Sequence, residues 1–203
     1  MTNIDDTVNL LIDGLPGVEM PLDIVVGLCE RLNAAGVNVA RGAIYVETLH
    51  PTVIGRRFIW EQGKEPQLDE APFAFSETLE FRFTPIQEVN ATGKPLRCKL
   101  HRADCPDVFP AIAEFRSEGM TDYFALPLRF TSGENYAVSW TTREPGGFTD
   151  DDIDALCGIN GPLKSLRSAV SQEIFSIPMS AADQDLRYLP VISVRATPLS
   201  SMR

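Results

Sequence analysis

The stretch EGMTDYFALPLRFTSGENYAVSWTTREPGGF (Glu118–Phe148) constrains the fold more than any other part of the chain. DYFALPLRF and NYAVSWTTR are dense in aromatic and β-branched residues, and Thr131-Ser132-Gly133-Glu134 between them carries turn chemistry, so the pair reads as a β-hairpin. Gly119 ends a helix before it, and Thr149 opens another after it. Helix, hairpin, helix is the closing half of a small α/β domain of the sensory kind, which points to a receiver of signals rather than a catalyst.

Charge narrows the partners. Lys and Arg number 18 against 28 Asp and Glu, a formal net charge of −10. Nucleic acid is therefore not an expected partner, because phosphate binding needs a basic stripe, and an anionic membrane surface is disfavoured equally. Part of the excess is local, since Asp150, Asp151, Asp152 and Asp154 stand where carboxylates favour a helix start. No apolar run approaches membrane-spanning length, and the opening MTNIDDTVNLLIDG lacks the positive charge and long apolar stretch of a secretory signal. A cytoplasmic location with reduced cysteines is the expectation.

The four cysteines, Cys29, Cys98, Cys105 and Cys157, form no CxxC pair. Cys98, His101 and Cys105 offer three potential ligands with no fourth nearby, so ordinary thiols are favoured and no metal is expected. Cys29 and Cys157 fall on the apolar faces of predicted helices, as small core residues.

With 203 residues and an apolar fraction of 44%, the chain can bury a sizeable core as one domain with tails. Residues 1–20 are a polar, acidic lead with room for a short helix around Val8 to Ile12. Pro21 to Ala35 reads as a helix with Leu22, Val25, Val26, Cys29 and Leu32 on one face and Gly36 at its end. Val39–Leu49 and Val53–Gln62 read as antiparallel strands, Gly63 to Glu77 as a loop, and Thr78 to Phe83 as a short strand. Asn90–Pro95 reads as a turn, LRCKLH as an edge strand or loop, and Val108 to Ser117 as a helix. Thr149 is a good N-cap with Asp152 completing a partial capping box. The helix it opens carries Ile153, Leu156, Cys157, Leu163, Leu166, Val170 and Ile174 along one side, with a break expected near Asn160. The predicted fold class is α+β, a central antiparallel sheet flanked by N- and C-terminal helices over residues 21–175. Residues 176–203 form a tail, disordered or loosely docked.

Two blocks, Glu30–Trp60 and Glu118–Leu156, carry the motifs TLHP, GRRF.W, TDY.ALPL and GGF. In combination they resemble the GAF-like regulatory region upstream of the catalytic domain in bacterial class III adenylate/guanylate cyclases, over about residues 20 to 170. The resemblance implies a regulatory domain whose C-terminal helix would lead to the cyclase. Cyclase activity itself is not expected, since the metal-binding aspartates and the transition-state Arg/Asn pair belong to a separate domain that this sequence does not reach.

Enzyme signatures such as a P-loop, G-x-S-x-G or H-E-x-x-H are absent from the sequence. A cysteine-based reductase of GAF fold, as in free methionine sulfoxide reductases, would need Cys98 or Cys105 to face the pocket as an activated thiol. Sensor pockets of this fold lie between the sheet and the loop-rich middle, mostly apolar with a few polar anchors. Tyr45, Trp60, Phe75, Tyr123 and Trp140 are the candidate lining, with Arg57 and Arg143 as anion-pairing groups, and core packing is the competing role for each aromatic. His50, beside Pro51 in a turn, is a candidate ligand or heme contact against the blander role of a solvated turn residue. No cofactor is specified. The stripe Leu163, Leu166, Val170 and Ile174 exceeds what one small sheet needs, so a homodimer through the terminal helices is expected, with a small molecule as the other possible partner.

Overall fold

Period-2 alternation in four long strands dictates a sheet with two different faces. The structure is a computed structural model that describes residues 21–47, 52–102, 109–129 and 135–159. Helix α1 (Pro21–Ala34) comes first, and Gly36, at φ +96°, lets the chain leave it. Asn33 then fixes the exit: its side chain accepts from Val39 N–H at 2.7 Å and donates to the Val39 carbonyl at 3.1 Å. Strands β1 (Arg41–Glu47), β2 (Val53–Glu61) and β3 (Gln67–Pro72) follow, then a 3-10 turn (Phe73–Glu77) and two short helices, α2 (Leu79–Arg82) and α3 (Pro85–Thr92). The second half runs β4 (Leu96–Lys99), α4 (Pro110–Ser117), β5 (Asp122–Arg129), β6 (Asn135–Thr142) and α5 (Asp150–Gly158).

The strands form one antiparallel sheet in the order β3-β2-β1-β6-β5-β4. One face carries Ile44, Val46, Phe58, Trp60, Leu126 and Val138 against α1 and α5. Each such large apolar side chain contributes about 1.5–3 kcal/mol when fully buried. Helix α1 sits close because β1 offers Gly42 beneath it: a Cβ there would lie 2.3 Å from Cys29 Sγ. Among the described residues no helix is long and apolar enough to cross a membrane.

Helix α1, the hairpin strands, the β4 edge strand and the Thr149 capping box stand where the sequence places them. Three local expectations are corrected. Gly63–Glu77 contains a strand, because β3 is held by partners on β2: Arg56 with Glu70 and Arg57 with Asp69 pair across the strands. Thr78–Phe83 is helical instead of extended, since the Thr78 side chain accepts from Phe81 N–H and caps α2. Helix α3 consumes the expected turn at Asn90 and ends on Gly93 at φ +66°. Cys157 is also corrected: it is exposed, while Ala155, Leu156 and Ile159 face the core. The hairpin turn, the lead, the tail, and Leu163, Leu166, Val170 and Ile174 lie outside the described residues.

Asp122 ties the second half together. It is fully buried and accepts from Arg97 Nε and Nη2, and from the backbone N–H groups of Tyr123 and Phe148. Arg97 also donates to the Phe148 carbonyl and lies 3.6 Å from Asp150 at the start of α5. Gly147, at φ +74°, passes so near that a Cβ would stand 2.7 Å from Asp122 Oδ2. Asp122→Ala is expected to lower stability by about 3 kcal/mol, because Arg97 and two N–H donors lose their acceptor. Urea unfolding of the variant against the wild type measures this.

Candidate functional site

The face opposite α1 and α5 is built from the alternate residues of the same strands. In register across the sheet stand Arg41, Glu61 and Thr141; then Ala43, Ile59, Ser139 and Ala125; then Tyr45, Arg57 and Ala137. Helices α3 and α4 cover part of it, with Val89, Ile112 and Phe115 packing against Tyr123, Ala125 and Cys98. Small side chains at Ala43, Ala125, Ala137 and Ser139 leave room for longer polar ones to lie over the sheet. Those are Arg41, Tyr45 and Arg57.

Arg41 is 7% exposed, and its guanidinium carbon lies 5.1 Å from the centroid of the Phe115 ring. Among the described residues no carboxylate forms an ion pair with it: Glu61, its cross-strand neighbour, is taken by Arg143 and Lys64, both at 2.9 Å. Arg57 pairs with Asp69. The two guanidiniums converge on Tyr45, whose hydroxyl is 3.4 Å from Ser139 Oγ. Burial alone would raise the Tyr45 pKa, yet Arg41, Arg57 and the Ser139 contact bring it below the ordinary phenol value. Tyr123, stacked on Phe115 at 5.7 Å, is pushed well above that value, first by burial and then by Tyr45. The site favours negative charge at one end and resists it at the other.

Exposure grades across the site. Arg41, Ser139, Thr141 and Tyr123 form a buried floor, while Tyr45, Arg57 and Glu114 are partly open to solvent. Glu114 Oε2 is buried and has no hydrogen-bond partner among the described residues.

Of the residues singled out in the sequence, Tyr45, Arg57 and Tyr123 share this face. Trp60 and Trp140 point the other way into the core under α1, and Trp140 stacks on Phe124. Phe75 lies in the 3-10 turn, edge-on to Phe81 at 5.6 Å. Arg143 is at the rim, bound to Glu61. His50 and Cys105 lie outside the described residues. Cys98 is buried opposite Tyr123 on the same covered face, and His101 is exposed with Nδ1 3.0 Å from the Thr121 carbonyl. Sequence reasoning missed Arg41, Glu114 and Ser139. Strand alternation from Tyr45 would have found Arg41.

Glu114 supplies a pH test. Burial, then Glu118, raises its folded pKa above the unfolded value. Any stability from this group is therefore present at low pH and lost as pH rises through the folded pKa. Glu114→Gln is expected to melt above the wild type at pH 7, with the difference closing near pH 4. Thermal unfolding at the two pH values checks it.

No family model and no curated protein matches the chain. Solved structures do match in fold. The GAF domain of a phosphoenolpyruvate-protein phosphotransferase from Coxiella burnetii aligns with TM-score 0.57 and 10% identity over 85% of this chain and 97% of its own. The phycocyanobilin-bound GAF domain of a cyanobacterial phytochrome gives 0.56 and 13%, over 87% and 98%. An Acinetobacter phosphotransferase GAF domain gives 0.55 and 12%, over 87% and 100%. With its six antiparallel strands and flanking helices, this chain has the GAF fold.

Proposed function

We propose that this chain is a non-catalytic sensory domain that binds a small molecule over Arg41, Tyr45 and Arg57 and works as a homodimer through its terminal helices. The observation that carries the reading is the contrast between the two sheet faces. The face under α1 and α5 is filled with large apolar side chains, whereas the other holds a buried cation that forms no ion pair among the described residues. Burying a guanidinium costs several kcal/mol unless it is well paired, and an apolar residue at that position would serve stability better. A fold keeps such a group where binding needs it.

Two further points support the reading. One structural neighbour with this fold holds phycocyanobilin. The resemblance of Glu30–Trp60 and Glu118–Leu156 to cyclase regulatory regions suggests an output that helices would carry. Support for a dimer contact on α1 and on the helix opened by Thr149 comes from Leu22, Val26 and Ile153, which pack against the core but are only partly buried.

The alternative is a protein-interaction module that binds no ligand. It has one observation in its favour: Leu68, Phe73, Leu79 and Phe83 are exposed near the β3 edge, at 38%, 53%, 68% and 51%. Self-association through that patch is the form of it that can be set against the helix dimer.

Native mass spectrometry of the gently purified protein is expected to show a dimer that retains or takes up a small molecule. A species that never carries one speaks against sensing. Light scattering then separates the interfaces: Val26→Glu is expected to give monomers, while Leu79→Ser with Phe83→Ser leaves the dimer intact. The reverse pattern favours the patch.

A further inference from the structure

We propose that the ligand of this face is a small organic acid that carries a carboxylate and, a few ångströms from it, a hydrogen-bond donor. The carboxylate pairs with Arg41 and the donor meets Glu114. This rests on the small-molecule reading above and names its chemistry.

Two groups on this face are incompletely matched among the described residues. Arg41 has one face of its guanidinium over the Phe115 ring and hydrogen-bonds the Tyr45 hydroxyl, which leaves its remaining in-plane N–H groups as its means of contact with a ligand. A carboxylate matches that fork with two parallel hydrogen bonds; a neutral carbonyl lacks the charge, and a phosphate would bring more negative charge toward Glu114. Arg57 is committed to Asp69 through Nε and Nη2, so it adds positive potential more than free donors. The Tyr45 hydroxyl, which accepts from Ser139 Oγ at 3.4 Å, keeps its own O–H as a neutral donor for a second carboxylate lone pair.

Glu114 follows the opposite logic. It precedes Phe115 on α4, feels the charge of both Arg41 and Arg57, and forms an ion pair with neither among the described residues. Its buried Oε2 accepts no hydrogen bond among the described residues. A buried acceptor without a donor is costly, as is a buried cation without an anion. One ligand bearing both groups satisfies the pair together, and a simple anion would leave Glu114 unsatisfied and add repulsion. Hydroxy acids and amino acids have this pattern of groups.

The test is calorimetric titration of the full chain with L-alanine, lactate and 4-hydroxybenzoate. Comparators are propionate and benzoate without the donor, lactamide and 4-hydroxybenzamide without the charge, and inorganic phosphate. At least one donor-bearing acid is expected to bind, its amide at least tenfold more weakly or not at all. Arg41→Met is expected to abolish binding without lowering the melting temperature, and Arg41→Lys to weaken it on the order of tenfold by losing the planar fork. Glu114→Gln is expected to weaken the donor-bearing acids and, by removing the repulsion, to leave propionate and benzoate bound no more weakly than in the wild type.

Equal binding of acid and amide overturns the carboxylate assignment while leaving a small-molecule site in place. Binding of phosphate alone overturns it as well. A panel in which no acid binds also overturns it, and the native mass spectrum then decides the sensory reading separately. Undiminished binding by both Arg41→Met and Arg41→Lys removes Arg41 from the site. Melting of Arg41→Met well below the wild type would make Arg41 a structural residue and sink the proposal.

Discussion

The fold's second half depends on one buried carboxylate. Asp122 opens β5, and through it the edge strand β4, the Gly147-Phe148 approach and the start of α5 meet at a single point. In a low-dielectric interior a carboxylate is tolerable only when several donors converge on it, and four do so here: Nε and Nη2 of Arg97 and two backbone N–H groups. This geometry requires Gly147, because any side chain there would collide with the carboxylate. The helix entry then follows from the Thr149–Asp152 capping box, and Phe148 is carried into the core as the chain turns.

The two sheet faces obey different rules. Beneath the terminal helices, large apolar groups interdigitate, and stability is the main result. Across the sheet, small residues at Ala43, Ala125, Ala137 and Ser139 support a thin polar layer that apolar packing would have replaced without penalty. The opposite shifts of Tyr45 and Tyr123 express that layer's polarity: two phenols on one face differ because one faces the guanidiniums and the other faces the Phe115 ring and apolar neighbours.

What the sequence made legible was what local pattern controls. The hairpin alternates strongly, and the Thr149 box is a local hydrogen-bond arrangement, so both stand as read. Strand β3, QLDEAP, has no apolar alternation, because an edge strand held by ion pairs to Arg56 and Arg57 takes its instructions from residues far away in sequence. TLEFRF alternates like a strand, but a threonine cap and a proline-initiated helix just after it decide otherwise. Aromatic residues drew attention to the site, and two of them, Trp60 and Trp140, lie on the wrong face for it. A single arginine at the start of a strand has no such visibility. Its meaning depends on what surrounds it after folding: a ring beneath, a tyrosine ahead, and a neighbouring glutamate already engaged elsewhere.

The close seating of α1 on Gly42 has a mechanical consequence. Arg41 and Gly42 are consecutive residues of β1, one turned toward the polar layer and the other toward Cys29 of the helix. Side chains normally act as compliant padding between a strand and the helix above it, and here that padding is missing on the strand side. A shift of the β1 backbone by a few tenths of an ångström at Arg41 cannot be taken up by rotamer adjustment at Gly42. It is passed directly to Cys29 on the helix, so the polar layer and the helix are separated by the thickness of one peptide unit.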